Sequence, residues 1–313
     1  MYRTILVAID GSEYATKAAR HAVGLAKRLG SKIVLFHVAP HPHLPPYSEG
    51  LHIGPFQEAN EEDRQARALW AQDLLAQAHK DMGDSNLAVK ELFVVSNHPH
   101  EAIIETAKKL DCDLIVMAPH GTHYVIGGVL LGSETQKVLT HAKIPVLVVR
   151  ESGSRVGIEP GEGVTLYRAI LVATDGSEYS AKAVKHAALL AKMSGAKLVL
   201  FHAAPQIHVP ARSEGLDVRR WGTAEEAKSA RDVMARRLLA ASRKEITVGD
   251  VAVEEVFVAS DHPYEAILEE AKKNECDLIV MAPHGHHGIA GILLGSETQK
   301  VLTHAGIHVL IVR

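Results

Sequence analysis

The sequence predicts an α/β protein built of two doubly wound parallel-sheet domains in tandem, and three observations carry that expectation. The chain repeats itself: ILVAIDGSEY at 5–14 returns as ILVATDGSEY at 170–179, NHPHEAI at 97–103 as DHPYEAI at 261–267, and LLGSETQKVLTHA at 130–142 returns unchanged at 293–305. A repeat of this length is a domain, too long for a solenoid unit. Within each copy, short continuous apolar runs alternate with segments of helical period, the signature of parallel strands buried on both faces. Finally, 313 residues with 47% hydrophobic and 23% charged side chains are enough for two ordinary cores.

Each element follows in order. Ile5 to Ile9 is a β-branched run that predicts the first strand. After Asp10-Gly11-Ser12, the alanines and leucines from Ala15 to Leu29 fall at i, i+3, i+4 spacing, a helix that Gly30 stops. Ile33 to Val38 is the second strand, followed by a Pro/His-rich loop from Ala39 to about Gln57 and a long polar helix from Glu58 to Met82. The remaining expectations are a strand at Val89–Val95, a helix at Pro99–Lys109, a strand at Leu114–Met117, a helix at Ser133–His141 and a last strand at Val146–Val149. That makes five strands per sheet, with domain one at 1–150, domain two at 166–313, and a Gly/Glu/Pro-rich linker at 151–165 between them. The last strands are short and apolar and would be sticky edges, so the two copies are expected to pair through them in a pseudo-two-fold arrangement, with a homodimer as a further option.

Composition excludes several partners. Lys+Arg 34 against Asp+Glu 37 gives −3, without the basic excess that holds nucleic acid or an anionic membrane. The start lacks a secretory layout and the apolar runs are strand-sized, which reads as a cytoplasmic protein. Cys112 and Cys276 each open the phrase CDLIVMAPHG and read as small core residues. Glu58, Glu61, Glu62 and Asp63 complement the start of a helix. The excess of 20 His invites a metal hypothesis, with His284, His286 and His287 first, yet short-range pairs supply only half a zinc site and the remaining histidines read as loop residues or N-caps.

In an open parallel sheet, ligands bind beyond the carboxyl ends of the strands, where strand order reverses. That rule selects Asp10-Gly11-Ser12, His37-Val38, and the loop from Met117 to Ser133, with their counterparts Asp175-Gly176-Ser177, His202-Ala203, and Met281 to Ser296. Ser133 with Gln136, and Ser296 with Gln299, satisfy an S-x-x-Q capping box. The same helix starts could instead offer their amide groups to a phosphate.

The order I-L-V-x-x-D-G-S-E, then M-x-x-H-G, then L-L-G-S and a terminal P-V-L-V-V-R resembles the universal stress protein family in its tandem two-domain form. The resemblance implies an adenine nucleotide, ATP, ADP or AMP, with or without Mg²⁺. It places Gly121, Gly132, Ser133, Gly285, Gly295 and Ser296 at the phosphates, and Asp10 and Asp175 at the adenine and ribose end. Val38 and Ala203 would meet adenine through their backbone, with Met117 and Met281 beside the ribose. Ala118, His120, Glu134 and Thr135, like Ala282, His284, Glu297 and Thr298, complete the expected site. Nucleotide-binding members carry G-x-x-G, nine residues, then G-[ST]. The second copy departs only by Ala282 for the first Gly, whereas the first copy has Ala118 and one extra residue, so the second is expected to bind better.

No Walker A loop or G-x-G-x-x-G fingerprint exists, and the phosphate loop has no Lys or Arg. Catalysis beyond slow ATP hydrolysis is therefore not expected, and the nucleotide reads as a signal that alters association with other proteins. The competing reading is a nucleotide-free or zinc-binding interaction protein on the same fold, its pocket blocked by Ala118-Pro119 and Ala282-Pro283.

Overall fold

The computed structural model describes residues 2–41, 61–83, 86–121, 131–150, 166–206, 224–285 and 294–313. The first copy runs β1 (Thr4–Ile9), α1 (Glu13–Leu29), β2 (Lys32–Ala39), α2 (Glu61–Asp81), β3 (Val89–Val95), α3 (Pro99–Lys109), β4 (Leu114–Met117), α4 (Ser133–His141) and β5 (Val146–Val148). The second runs β6 (Ala169–Ala173), α5 (Glu178–Ser194), β7 (Lys197–Ala204), α6 (Ala224–Arg243), β8 (Val253–Ala259), α7 (Pro263–Lys273), β9 (Leu278–Met281), α8 (Ser296–His304) and β10 (His308–Ile311). The expected linker and the start of the long helix at Glu58 lie outside the described residues.

Within each copy the strands are parallel, in the order β3-β2-β1-β4-β5 and β8-β7-β6-β9-β10. Strand order reverses between β1 and β4 and between β6 and β9, which opens a crevice at their carboxyl ends. Alternation along the strands divides the core between the two faces. Ile5, Val7 and Ile9 pack with Ala15, Ala18, Ala19, Ala22 and Ala26 of α1, while Leu6 packs with Ile103 of α3 and Val138 of α4 on the other side. The alanine face brings α1 close to the sheet, which is how a core so poor in aromatics packs tightly. Ser12 caps α1 by accepting from the Ala15 amide, and Gly30 ends it at φ +66°. Cys112 and Cys276 are both buried, and burial pushes their thiols up to about 11 and about 12.

The two sheets are one. β5 and β10 pair antiparallel, with Leu147 opposite Leu310 and Val148 opposite Val309, giving ten strands among the described residues. Side chains cross the junction in matched pairs. Arg150 donates to the Leu302 carbonyl at the end of α8, and Arg313 donates to Leu139 and Thr140 at the end of α4, cations meeting the negative ends of helices. The Tyr2 hydroxyl lies 2.7 Å from His186 Nδ1 on α5, and the Tyr167 hydroxyl 2.8 Å from His21 Nε2 on α1. His308 adds an asymmetric piece: its ring stands 4.4 Å from that of His21, and its Nδ1 accepts from the Arg150 amide at 3.0 Å.

These contacts correct the reading of the histidines as solvated loop residues. His21 and His308 are both buried, because a ring nitrogen in a core can be satisfied by a hydroxyl or an amide. Tyr167→Phe should therefore strand the fully enclosed His21 Nε2 and cost about 1–2 kcal/mol, lowering the melting temperature by a few degrees. Tyr2→Phe should cost less in the same thermal melt, since His186 is only half-buried and water can replace the hydroxyl.

Candidate functional site

Each copy has a cavity at its crevice, of about 680 Å³ in the first and about 550 Å³ in the second. The first is lined by Asp10, Val38, Met117, Ala118, His120, Gly121, Gly132, Ser133, Glu134 and Thr135. The second is lined by Asp175, Ala203, Met281, Ala282, His284, Gly285, Gly295, Ser296, Glu297 and Thr298. Four segments distant in sequence thus converge on each cavity.

The Asp-Gly-Ser turn forms one wall. Asp10 Oδ1 accepts from the Ser12 amide at 3.0 Å and from its hydroxyl at 2.6 Å, and Asp175 holds Ser177 with the same distances. The intervening Gly11 and Gly176 sit at φ +86° and +81°, which glycine adopts without strain. The other carboxylate oxygen faces the loop after β4. A Cβ on Gly121 would stand 2.3 Å from Asp10 Oδ2, and one on Gly285 would stand 2.4 Å from Asp175 Oδ2. Backbone and carboxylate approach this closely only because no side chain intervenes.

The opposite wall is the start of α4 or α8. The N-cap is Gly132, not Ser133: Gly132 has extended φ −63°, ψ 146°, and its carbonyl accepts the first helical bond from the Gln136 amide. Gly295 does the same in the second copy, with ψ 149°. The expected capping box is therefore displaced by one residue and absent, because a serine inside the first turn cannot reach back to the amides a cap would satisfy. Among the described residues no side chain caps either helix, and the helix starts line the cavity. The starts are held in place from outside. Gly132 N–H donates to the Pro119 carbonyl at 2.7 Å and Thr135 Oγ1 to the Ala118 carbonyl at 3.0 Å, repeated by Gly295 to Pro283 at 2.7 Å and Thr298 to Ala282 at 3.1 Å.

Ala118 and Ala282 are buried in the wall without positive φ. The extra methyl neither strains the loop nor closes the cavity among the described residues. Glu134 points away along the rim, accepting from the His100 amide at 2.9 Å and from Lys137 at 2.7 Å; these donors hold its carboxyl below the usual range against the opposing effect of burial. His120 and His284 stand behind the loop, edge-on to Tyr14 and Tyr179 at 4.6 Å. Residues 122–130 and 286–293 lie outside the described residues, and with them the loop-length difference expected to rank the copies, and His286 and His287. Among the described residues, no three metal-ligating side chains converge.

Two lining features escape motif reading. Trp70 of α2 stands at the mouth of the first cavity, where an aromatic in a polar helix was the only signal. Thr174 and Ser180 line the second cavity in a hydroxyl cluster with Ser242, at 3.2 and 2.9 Å, where the first copy has Ile9, Ala15 and Ala78. No Lys or Arg is among the described lining residues of either cavity. Among the described residues, no helix is long and apolar enough to cross a membrane.

Comparison with known proteins gives a consistent result. A family model described as the universal stress protein family matches residues 1–150 and again 166–313. A universal stress protein of Thermus aquaticus is 34% identical over 151 residues, 48% of this chain and all of that one. One from Mycolicibacterium smegmatis is 27% identical over 313 residues, 99% of this chain and 96% of that one. The crystal structure of a universal stress protein from Archaeoglobus fulgidus superposes with TM-score 0.65 at 19% identity, covering 99% of this chain and 98% of that one.

Proposed function

The chain belongs to the universal stress protein family, in a tandem two-domain form, and on that premise we propose that each copy binds an adenine nucleotide, ATP or its ADP or AMP product, as a signal in a cytoplasmic stress response. The observation that carries this reading is the uncapped start of α4 and of α8, open on a cavity whose opposite wall is a fixed aspartate. Amides of a helix start complement a phosphate by their direction and by the positive end of the helix dipole. An aspartate whose orientation is set by two hydrogen bonds suits a ribose hydroxyl. The apolar strand ends at Val38, Met117, Ala203 and Met281 suit the flat face of a base.

The anion is met by backbone donors and not by side-chain charge, which shapes what the site does. Phosphoryl transfer needs cationic groups on the charge that develops, and none lines the described walls. Holding the nucleotide, with or without Mg²⁺, and changing the association of this protein with others is the function that fits. Heating the purified chain and identifying released small molecules by mass should give an adenine nucleotide, up to two per chain. No nucleotide released, together with no heat on titrating ATP into the emptied protein, would sink the reading.

A further inference from the structure

We infer that the first copy reads the base with two side chains, His37 and Trp70, which select a 6-aminopurine over a 6-oxopurine; this rests on the adenine-nucleotide reading and adds a specificity whose elements are missing from the described residues of the second copy. His37 lies two residues before the end of β2 and is buried. Its Nδ1 lies 2.7 Å from the Ile9 carbonyl oxygen, and since a carbonyl only accepts, Nδ1 carries the proton. In the neutral ring this leaves Nε2 with a lone pair. That atom is buried and has no hydrogen-bond partner among the described residues, and His37 lines the cavity. A buried acceptor without a donor is costly, and a ligand N–H arriving in the cavity supplies what is missing.

Trp70 stands over the same ring. Its indole is edge-on to His37, with centroids 5.2 Å apart and planes at 70°, yet Trp70 remains more than half exposed. Room on its outer side lets the indole turn away from the imidazole and lie flat on an entering base. The two groups then define the base chemically. The amino group on C6 of adenine donates to Nε2, whereas a 6-oxopurine sets a carbonyl lone pair against it, and the indole adds stacking that any purine shares.

Among the described residues, the second copy has neither element. His202 makes the same Nδ1 contact, 2.8 Å to the Thr174 carbonyl oxygen, but is only half-buried, and its Nε2 is not a buried unpartnered atom. The buried pairs Ala71 with Ala235 and Leu75 with Leu239 align α2 with α6, and Met234 falls where Trp70 stands. The copies share a fold and differ in what they ask of the base.

The test uses the full chain carrying Trp221→Phe, which leaves Trp70 as the single tryptophan, so its emission reports the first cavity alone. ATP and ITP are titrated at pH 8, with Trp70 emission and heat recorded together. ATP should shift the emission, and ITP should bind the first copy at least tenfold more weakly. His37→Asn keeps an amide donor for the Ile9 carbonyl and removes the outer acceptor; it should bring the two nucleotides within about twofold of each other. Trp70→Met, read by heat, should weaken both alike. Heat on adding ATP without any change in Trp70 emission, or an ATP-to-ITP ratio untouched by His37→Asn, overturns the inference and leaves the nucleotide reading standing. No heat with either nucleotide brings down both.

Discussion

Gly121→Val should abolish nucleotide binding in the first copy and Gly285→Val in the second, each lowering the local affinity at least about a hundredfold, roughly 2.7 kcal/mol. The reason is geometric. A Cβ at either position falls 2.3 or 2.4 Å from the carboxylate of Asp10 or Asp175, a distance no real contact sustains. Those carboxylates cannot simply swing aside, since each is held by the amide and hydroxyl of the serine that caps the next helix. The loop must therefore move away from β1 or β6, carrying with it the anchors of the α4 or α8 start at Pro119 or Pro283. Calorimetry should count one nucleotide in each single variant and none in the double. Thermal melts of the single variants should fall by only a few degrees, because the loop lies beyond the carboxyl ends of the strands and its glycine is outside both cores. Full stoichiometry in the double variant would show that the cavities are not where the ligand sits.

Acid should loosen the junction between the copies. Burial holds His308 at about 4, against 6.5 for an unperturbed imidazole, and keeps His21 well below that value and His186 below it too. His21 is lowered further by the neighbouring His308. Among the described residues, the groups that hydrogen-bond them across the junction are the hydroxyls of Tyr167 and Tyr2 and the Arg150 amide, and none supplies a negative charge to stabilise an imidazolium. Above pH 6.5 folded and unfolded chains both keep these rings neutral, and the junction is at full strength. As pH falls below 6.5 the unfolded chain takes up protons that the folded one refuses, so stability is lost until about pH 4, where His308 titrates in the fold. His308 alone accounts for about 2 kcal/mol between pH 6.5 and 5. Denaturant midpoints across that window should fall steeply for the natural chain. His308→Asn, which keeps an acceptor for the Arg150 amide and does not titrate, should flatten the slope. An unchanged slope would remove His308 from the account.

Most of the fold is legible in the residues. The strand and helix segments follow from local period, and Gly30 stops its helix as a glycine at positive φ does. The site residues are legible as motifs because each lies within a few positions of a strand end. Where the reading failed, the cause was spatial. Ser133 looks like a cap in sequence, but the cap position belongs to Gly132 because Pro119 and Ala118 pin the helix start from another segment. Histidines at 21 and 308 look like surface residues until β5 meets β10 and encloses them. Trp70 gives no hint of facing His37, more than thirty positions away along the chain.

Repetition and local period, which need no third dimension, are enough to show that this protein is one domain written twice, what family that domain belongs to, and which turns and glycines stand at the ends of its strands. Packing adds the register in which β5 meets β10, the tyrosines and histidines exchanged across the junction, the glycine N-caps of the helices that start at the cavities, and the difference between the cavities in the burial of His37 and the presence of Trp70. These properties belong to pairs of groups brought together by packing, and a linear sequence carries the members of each pair without their distance.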